Sequence, residues 1–510
     1  MSVRYRTAVA LVLTAVVASL SGCVFAPSPS PTSTPTGEKV SAALEPYYSQ
    51  VLTWSDCDDG MECATATAPL DWANPVAADD IELALVRHRA SGSREGSLFV
   101  NPGGPGASGF DFIHDNLDYA VSGDLQARFD VVGWDPRGVG KSSHVDCYDG
   151  PQLDEFLFGT PTAPIDSPEY VAEVTASAKD FADACAERTG KLLGFVDTES
   201  TVSDLDMLRA IVGDRKLNYF GYSYGSDIGS HYADRYPEKV GRLVLDGATS
   251  STLTSFDVSL AQTAAFGNAL KDYLKACLAG SDCPFTGTVD DALAQIRGLF
   301  DRLDASPIRA KDGRELTSSY LDTAIQFSLY DEGNWQYLSQ AFTEVEAGRS
   351  ETAFLLADSY VGRDENGDYS DEFEAFFAIN CLDYPAERDP AVLAQQRDAI
   401  AAADPLAEPE DYDSVGDVVC QQWPYPPRAT LDAVTGAGAA PIVVVGTTGD
   451  PATPYQWAEA LSDQLQSGVL LTYVGEGHIA YDEGDPCIVD AVDAYFIDGT
   501  PPKDGLVCTP

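Results

Sequence analysis

A serine flanked by glycines is the residue whose context best suits a nucleophile. The stretch Gly221-Tyr-Ser-Tyr-Gly225 follows the apolar run Leu217 to Phe220 and precedes the helix-like segment Ser226 to Arg235. A serine on a sharp turn between a strand and a helix needs small residues two positions before and after it, because strand and helix pack closely there. The pattern predicts a nucleophile elbow at Ser223, with the N-terminal amides of the helix favouring developing negative charge.

An acid and a histidine follow this serine in the order that the chemistry requires. The apolar run Pro441 to Val445 leads through a short turn to Asp450, and the run Leu470 to Val474 leads to His478. In an α/β-hydrolase the acid and then the histidine lie on loops after later strands. We therefore predict a catalytic triad of Ser223, Asp450 and His478.

A second aspartate competes for the role of the acid. Asp246 ends the strand-like run Val240 to Leu245, which comes directly after the elbow helix. Some hydrolases place their acid after this strand. We favour Asp450, because its strand immediately precedes the strand of the histidine.

A glycine-rich loop earlier in the chain has the composition of an oxyanion-binding loop. Asn101-Pro-Gly-Gly-Pro-Gly106 follows the strand-like run Ser97 to Val100. Glycines let backbone amides approach a ligand closely, and enzymes with a nucleophile elbow draw one oxyanion donor from this loop. We predict that the backbone amides of Gly104 and Tyr224 form the oxyanion hole.

The charge of the chain excludes one large class of partners. The 510 residues contain 31 Lys and Arg against 80 Asp and Glu, which gives a net charge of -49. Such a protein repels polyanions, so nucleic acid is excluded as a partner. Strong acidity is typical of a solvated surface that keeps a protein soluble outside the cell.

The N-terminus has the features of an export signal. Arg4 and Arg6 precede the apolar stretch Ala8 to Ala18, which has the length of a signal-peptide core and is short for a bilayer span. Leu20-Ser-Gly-Cys23 resembles a bacterial lipobox, which implies cleavage before Cys23 and attachment of lipid to it. An ordinary signal peptide is the alternative. We expect an extracytoplasmic protein, either anchored by acyl chains to the outer face of the cell membrane or secreted.

The cysteines independently favour export. Setting Cys23 aside leaves ten of the 11 cysteines, an even number that suits five disulfide bonds. No Cys-x-x-Cys pair occurs, which argues against a structural zinc or thioredoxin-like site, and we predict neither a metal nor a cofactor. Proximity along the chain predicts the pairs Cys57–Cys63, Cys147–Cys185, Cys277–Cys283, Cys381–Cys420 and Cys487–Cys508.

Changes of pattern divide the chain into five segments. Residues 1–22 form the predicted signal peptide, and residues 23–39, rich in Pro, Ser and Thr, form an extended tether. Residues 40–250 and 431–510 form the two parts of an α/β core with a mostly parallel sheet. Residues 251–430 form a mainly helical cap, with helix-like stretches at Phe256 to Leu278, Asp290 to Leu303 and Leu321 to Glu346.

Five motifs taken together resemble one known family. They are Asn101-Pro-Gly-Gly-Pro-Gly106, Gly133-Trp-Asp-Pro-Arg-Gly-Val-Gly140, Gly221-Tyr-Ser-Tyr-Gly225, Thr448-Gly-Asp-Pro-Ala-Thr-Pro454 and Gly475-Glu-Gly-His478. The combination resembles the secreted tripeptidyl aminopeptidases of actinobacterial type, relatives of the prolyl aminopeptidases within the α/β-hydrolase superfamily. The resemblance covers residues 47–508. It implies the α/β-hydrolase fold, a cap inserted after the sixth strand, and removal of short peptides from free N-termini. Asn101 departs from the histidine usual in prolyl aminopeptidases.

The resemblance also implies a site for the substrate's amino group. An exopeptidase needs an anionic group that holds the substrate ammonium, and a cap carboxylate would supply it. Asp383 is our candidate, beside Glu332 and Glu374. We expect a monomer that acts on peptides or proteins.

The sequence is also compatible with two other functions. An esterase or lipase would use the same triad, because the chemistry of acyl transfer does not by itself distinguish esters from peptides. A surface binding module on an inactive hydrolase fold is the third possibility. The presence of all three triad residues argues against that last reading.

Overall fold

A ten-stranded sheet forms the centre of the protein. The computed structural model describes residues 31–164, 167–407, 418–428, 430–481 and 484–510. The strands are β1 (Ser55–Asp56), β2 (Met61–Ala68), β3 (Ile81–His88), β4 (Gly96–Asn101), β5 (Phe129–Trp134), β6 (Leu217–Tyr222), β7 (Val240–Asp246), β8 (Ile308–Arg309), β9 (Glu315–Leu316), β10 (Ile442–Gly449), β11 (Gly468–Glu476) and β12 (Leu506–Cys508). Their order in the large sheet is β1-β2-β3-β5-β4-β6-β7-β10-β11-β12, and β8 and β9 form a separate hairpin.

The sheet is antiparallel at one edge and parallel elsewhere. The pairings β1–β2, β2–β3 and β3–β5 are antiparallel, whereas every pairing from β5 through β4 to β12 is parallel. All residues of β4 and β5 are buried, as expected for parallel strands that are covered on both faces. The predicted fold class, an α/β core with a mostly parallel central sheet, is confirmed.

Helices cover both faces of this sheet. Phe99 of β4 packs in one apolar cluster and its neighbours Leu98 and Val100 pack in another, so successive side chains enter different layers. The helices between the start of the described chain and β7 are α1 (Glu45–Tyr48), α2 (Gly109–Ala120), α3 (Gly123–Arg128), α4 (Gly150–Phe158), α5 (Pro168–Thr189), α6 (Thr198–Val212) and α7 (Tyr224–Arg235). After β10 follow α16 (Tyr455–Gln464) and α17 (Pro486–Asp498).

The segment between β7 and β10 is mainly helical. It contains α8 (Ser255–Ala279), α9 (Val289–Ala305), α10 (Ser318–Leu329), α11 (Trp335–Glu346), α12 (Glu351–Val361), α13 (Glu372–Asp383), α14 (Pro390–Ala403) and α15 (Val418–Gln422). Helices α8 to α12 share an apolar cluster of their own. Helices α13 and α15 instead bury side chains such as Ile379 and Val419 in the cluster that covers the sheet. The inserted segment is therefore joined to the core by packing as well as by the chain.

One predicted helix is two helices in the structure. The stretch from Leu321 to Glu346 is divided between α10 and α11 by a short turn at Asp331 to Asn334. The Gly333 N–H donates to the Asp331 carboxylate at 2.6 Å, so this side chain competes with the helical pattern of backbone bonds. The prediction of a single helix was wrong at this point.

The packed part of the chain begins earlier than predicted. Within the segment that we expected to be a tether, the Ser33 N–H donates to the Leu52 carbonyl and the Thr36 N–H donates to the Ala210 carbonyl, both at 2.9 Å. These two backbone hydrogen bonds hold residues 31–39 against the core. The composition of this segment, which is poor in apolar residues, did not predict that it packs there. The predicted signal peptide, Cys23 and the first part of the tether lie outside the described residues.

The five disulfide bonds have the pairings expected from proximity. They are Cys57–Cys63, Cys147–Cys185, Cys277–Cys283, Cys381–Cys420 and Cys487–Cys508. The fourth joins α13 to α15, and the fifth joins the start of α17 to the edge strand β12. The fourth bond therefore restrains two helices of the inserted segment relative to one another.

A buried ion pair lies beneath the loop that follows β5. The Arg137 guanidinium binds both carboxylate oxygens of Asp204 at 2.7 Å, and both side chains are fully buried. Arg137 also donates to three backbone carbonyls, those of Pro69, Leu70 and Phe195. The arginine therefore joins the antiparallel edge, the β5 loop and helix α6 through one planar group.

We predict that Arg137→Met lowers the free energy of unfolding by about 3–5 kcal/mol, because the substitution leaves the Asp204 carboxylate buried without its cation. Thermal unfolding of the purified protein measures the effect. Arg89→Met is the matched control: the Arg89 side chain is 54% exposed and pairs with Glu62 at the surface, so its loss costs about 1 kcal/mol or less. Equal shifts for the two variants would contradict the prediction.

Candidate active site

The backbone at Ser223 is held in an unusual conformation. Strand β6 ends at Tyr222, helix α7 begins at Tyr224, and Ser223 between them has φ 53° and ψ -125°. Residues other than glycine rarely adopt this combination of backbone angles. The Ser223 N–H donates to the Asp246 carbonyl at 2.8 Å, which fixes the turn to the end of β7. The local geometry is that of a nucleophile elbow.

The two flanking glycines are required by the closeness of the packing. A Cβ atom at Gly221 would lie 2.3 Å from the Gly225 carbonyl oxygen, and a Cβ at Gly225 would lie 2.7 Å from the Asn101 carbonyl oxygen. Both distances are shorter than any side chain tolerates. Only glycine at these two positions therefore lets the elbow pack against the neighbouring strand β4 without a steric clash.

The predicted acid and histidine are in contact. His478 Nδ1 lies 3.0 Å from Asp450 Oδ1 and 2.9 Å from Asp450 Oδ2. The carboxylate is buried, and it also accepts the backbone N–H groups of Ala452 and Thr453 and the Thr453 hydroxyl. These donors hold the carboxylate oxygens towards the imidazole. Ser223 and His478 face one cavity, so the chain folds its three predicted triad residues into one site.

The rival aspartate has a different position. The Asp246 carboxylate is fully buried and accepts the backbone N–H groups of Ala480 and Tyr481 at 3.1 and 2.9 Å. It therefore fixes the loop that follows His478. Because the Asp246 carbonyl also binds the Ser223 amide, this residue fixes the serine and the histidine loop relative to one another.

Sequence reasoning missed one residue that supports the histidine. The His478 N–H donates to the Tyr330 carbonyl at 2.8 Å, and the Tyr330 ring lies edge-to-face against the imidazole with centroids 5.3 Å apart. Tyr330 ends helix α10 in the inserted segment. No local motif marks it, because its partner lies 148 residues later in the chain.

The glycine-rich loop lies directly against the elbow. A Cβ at Gly103 would be 2.8 Å from Ser223 Cβ, and the Gly103 N–H donates to Asn101 Oδ1 at 3.1 Å. Gly104 and Tyr224, the predicted oxyanion donors, both line the cavity beside Ser223. The Asn101 side chain thus shapes this loop from the position where prolyl aminopeptidases usually carry histidine.

Asp383, the predicted amino-group anchor, lies behind the site and does not line the cavity. Its carboxylate accepts the Thr198 N–H at 3.0 Å and the Thr198 hydroxyl at 2.6 Å, and that hydroxyl lies 2.5 Å from the Tyr224 hydroxyl. Burial, more than any other cause, raises the pKa of Asp383 to about 8. The residue therefore supports Tyr224 through Thr198, and the structure gives it no direct access to a substrate.

The two other cap candidates are also outside the cavity. The Glu374 carboxylate is buried and accepts the backbone N–H groups of Cys147 and Tyr148, so it ties α13 to the chain before α4. Glu332 is exposed in the turn between α10 and α11. Sequence alone did not reveal these positions, because the orientation of α13 and of the turn at Glu332 depends on tertiary packing.

Three other carboxylates do line the cavity, which has a volume of about 880 Å³. They are Glu372 at the start of α13, Asp322 on α10 and Asp404 at the end of α14. Burial raises the pKa of Glu372 to about 7, and burial together with the Asp404 charge raises the pKa of Asp322 to about 6. No Lys or Arg of the described chain lines this cavity. The site is thus anionic, with apolar and aromatic walls.

One group of side chains in the described chain lies close enough together to contact a metal ion. The residues that could together contact an ion there are Asp485, Cys487 and Cys508, and the two cysteines are joined in a disulfide bond. Their sulfurs are therefore not available as thiolates. Among the described helices, none combines the length and the apolar character needed to cross a bilayer.

The sheet, the elbow serine and the contact between Asp450 and His478 define a serine hydrolase of the α/β-hydrolase fold. A family model described as "TAP-like protein" matches residues 409–508, the segment that carries Asp450 and His478. "Serine protease Hip1" of Mycobacterium tuberculosis is 35% identical over 487 residues, which cover 91% of this chain and 92% of that protein. The chain belongs to this TAP-like family of serine hydrolases.

Two further relatives have different names. "Carboxylesterase B" of Mycobacterium tuberculosis is 34% identical and covers 91% of both chains. "Tripeptidyl aminopeptidase" of Streptomyces lividans is 29% identical, with 90% of this chain and 87% of that protein covered. The resemblance to tripeptidyl aminopeptidases that the motifs indicated is confirmed.

We predict that Asp450→Asn lowers kcat by about 10⁴-fold, because an amide in place of the carboxylate favours the wrong imidazole tautomer. Steady-state hydrolysis of an activated ester measures it. Asp246→Asn is the comparison: it weakens the support of the loop after His478 and should lower kcat by roughly 10- to 100-fold, the effect of a displaced catalytic group. A larger loss for Asp246→Asn at unchanged stability would assign the acid to Asp246.

Proposed function

We propose that this serine hydrolase is an aminopeptidase that removes short peptides, tripeptides above all, from the free N-termini of peptide or protein substrates. The observation that carries the proposal is the anionic cavity. Glu372, Asp322 and Asp404 line it beside Ser223, and no described Lys or Arg does. Desolvated carboxylates without a cation attract a positive group strongly. The α-ammonium of a peptide is the cation that a peptidase substrate always offers.

The proposed reaction proceeds through an acyl-enzyme. His478 takes the proton of the Ser223 hydroxyl as its oxygen attacks the carbonyl carbon, while Asp450 orients the imidazole and stabilises its charged form. The backbone amides of Gly104 and Tyr224 bind the oxyanion. His478 then gives the proton to the leaving amine as the peptide C–N bond breaks. Water attacks the ester in the second step, with His478 again as base, and the released peptide leaves with a new carboxyl group.

Esterase activity is the alternative function, and a named relative favours it. "Carboxylesterase B" is as similar to this chain as the protease is. An esterase has no need of an ammonium site, so the anionic cavity argues for the peptidase. Discrimination between free and blocked N-termini is therefore the property that separates the two functions.

The test compares tripeptide amides of a fluorogenic amine with a free or an acetylated N-terminus, alongside a short-chain ester. We expect the free peptide to be cleaved with a kcat/KM at least 10-fold above that of the acetylated peptide, because only the free terminus carries the charge that the cavity binds. Ser223→Ala should lower kcat by about 10⁶-fold. Ester turnover without peptide cleavage would establish the esterase, and function that survives Ser223→Ala would establish the binding module.

We also propose that the protein is exported and anchored to the outer face of the cell membrane by lipid on Cys23. Support comes from the signal-like N-terminus with its lipobox and from the ten other cysteines, all of which form disulfide bonds. Lipid chains hold a protein at a bilayer without a spanning helix. The anionic surface then faces the medium outside the cell.

Cys23→Ser tests the anchor in cells that express the full chain. We expect the parent protein in the membrane fraction and the variant either in the medium or retained as uncleaved precursor, because the thiol that receives the lipid is missing. Incorporation of a labelled fatty acid into the parent alone supplies the second readout. Membrane association and labelling that persist in the variant would rule out Cys23 as the lipid site.

A further inference from the structure

Asp383 joins the inserted segment to the nucleophile elbow through two hydroxyl groups. It ends helix α13, and its carboxyl group bonds to the Thr198 hydroxyl with the oxygens 2.6 Å apart. The Thr198 hydroxyl in turn lies 2.5 Å from the Tyr224 hydroxyl. Tyr224 follows Ser223 directly, and its backbone amide is one of the two predicted oxyanion donors. A chain of three polar groups therefore connects α13 to the oxyanion side of the site.

No Lys or Arg of the described chain pairs with Asp383. The residue is 7% exposed, and its carboxyl group bonds to the backbone N–H and the hydroxyl of Thr198. Its neighbour Asp197 is also buried, but it pairs with Arg428 at 2.9 Å. Burial penalises the charged form of an acid, so an acid without a cation tends to take up a proton.

The surroundings of Asp383 favour the neutral acid. The titratable and charged groups that face it come from the start of α6, from α7 and from the chain around α13 and Arg428, and they are Asp197, Tyr224, Asp227, His231, Tyr384 and Arg428. Although burial opposes it, the charge of Asp227 and the hydrogen bond with Glu199 raise the pKa of His231 to about 9, so these two acids share its positive charge. Burial above all, together with the charges of Asp197 and Asp227, raises the pKa of Asp383 to about 8.

A proton on Asp383 keeps the three groups bonded and removes the charge. The charged carboxylate accepts from the Thr198 hydroxyl, which accepts from the Tyr224 hydroxyl. The neutral acid donates to the Thr198 oxygen, and the Thr198 hydroxyl then donates to the Tyr224 oxygen. The same contacts serve both states. The two states therefore differ in a negative charge that lies behind the amide of the oxyanion hole.

The hydrogen-bonded chain limits the distance between this charge and the oxyanion. Two hydrogen bonds, one tyrosine side chain and the bond from amide to oxyanion together span at most roughly 15 Å. At roughly 15 Å and an effective permittivity of about 20, a unit negative charge slows formation of an oxyanion about 6-fold, and at about 10 Å the effect is about 16-fold.

We propose that Asp383 is a positioning residue that works as a neutral acid: it holds Tyr224 without placing a negative charge behind the oxyanion hole, and its ionisation in mildly alkaline solution slows the reaction. Acyl transfer from peptides and from esters uses the same oxyanion hole. The inference therefore does not depend on the proposed aminopeptidase function.

The experiment measures kcat for a short-chain ester from about pH 5 to about pH 9.5, because such an ester carries no amine that titrates in this range. In the parent, kcat should rise as His478 loses its proton and then fall roughly 5- to 20-fold as Asp383 ionises near pH 8. Asp383→Asn resembles the neutral acid, because an amide also donates to the Thr198 hydroxyl and accepts the Thr198 N–H. It should keep kcat within about 2-fold of the parent's at about pH 6 and should lose the alkaline fall.

The Thr198 hydroxyl provides a second pair of variants. It donates to the charged form of Asp383 and so opposes the rise of the pKa of that acid. Thr198→Val should therefore move the alkaline fall to higher pH, whereas Thr198→Ser keeps the hydroxyl and should leave the fall in place.

Thermal unfolding gives a readout that does not depend on activity. The pKa of Asp383 is about 8 in the folded chain and about 4 in the unfolded chain, so the unfolded chain loses the proton first as the pH rises. The parent therefore loses stability between these two values, and Asp383→Asn does not lose this part. The Tm of the variant minus that of the parent should increase from about pH 5 to about pH 8 and then level off.

Asp493→Asn is the matched control. The Asp493 carboxylate is also buried and accepts from the hydroxyls of Ser122 and Tyr481 at 2.6 and 2.7 Å, but it lies on α17, whose apolar side chains pack on the other face of the sheet. This variant should keep the parent's dependence of kcat on pH. An alkaline fall that persists in Asp383→Asn, or that disappears only in Glu372→Gln or Asp227→Asn, would overturn the inference. A parent whose kcat does not fall up to about pH 9.5 would overturn it as well.

Discussion

Asp246 is the constraint on which the site depends. Its backbone carbonyl binds the amide of Ser223, and its carboxylate binds the amides of Ala480 and Tyr481 after His478. One buried residue at the end of β7 thereby holds both the strained turn of the nucleophile and the loop of the base. Strain at Ser223 persists because several fixed contacts oppose its relaxation. A triad of this kind requires placement to within a fraction of an ångström, which a rigid strand end supplies better than a loop.

The inserted helices contribute to the catalytic centre as well as covering it. Tyr330 supports the backbone and the ring of His478, and Thr198 and Asp383 hold the hydroxyl of Tyr224. Movement of α10 would therefore change the position of His478, and movement of α13 would change the position of the Tyr224 side chain.

The acids in and around the site fall into two groups with different consequences. Asp246, Glu374 and Asp383 are satisfied by backbone amides or a hydroxyl, and they hold loops and helix ends in place. Asp322 and Glu372 face the cavity without a cation, and burial raises the pKa of both. The first group stabilises structure, whereas the second places negative charge in the cavity that Ser223 lines. The same residue type thus has two roles, decided by which donors surround it.

Short-range patterns in the sequence were enough to predict the residues whose chemistry depends on local geometry or on chain order. The elbow at Ser223, the acid and histidine on loops after later strands, the glycine loop and the disulfide pairs all follow from spacing along the chain, because each requires only local geometry or chain order. The break between α10 and α11 was also local, but the Asp331 turn was overlooked. Which acids line the cavity followed from the tertiary structure alone. Asp383 lies behind Tyr224, and Asp322, Asp404 and Glu372 line the cavity, because the face that a cap helix turns inward depends on packing against partners more than a hundred residues away.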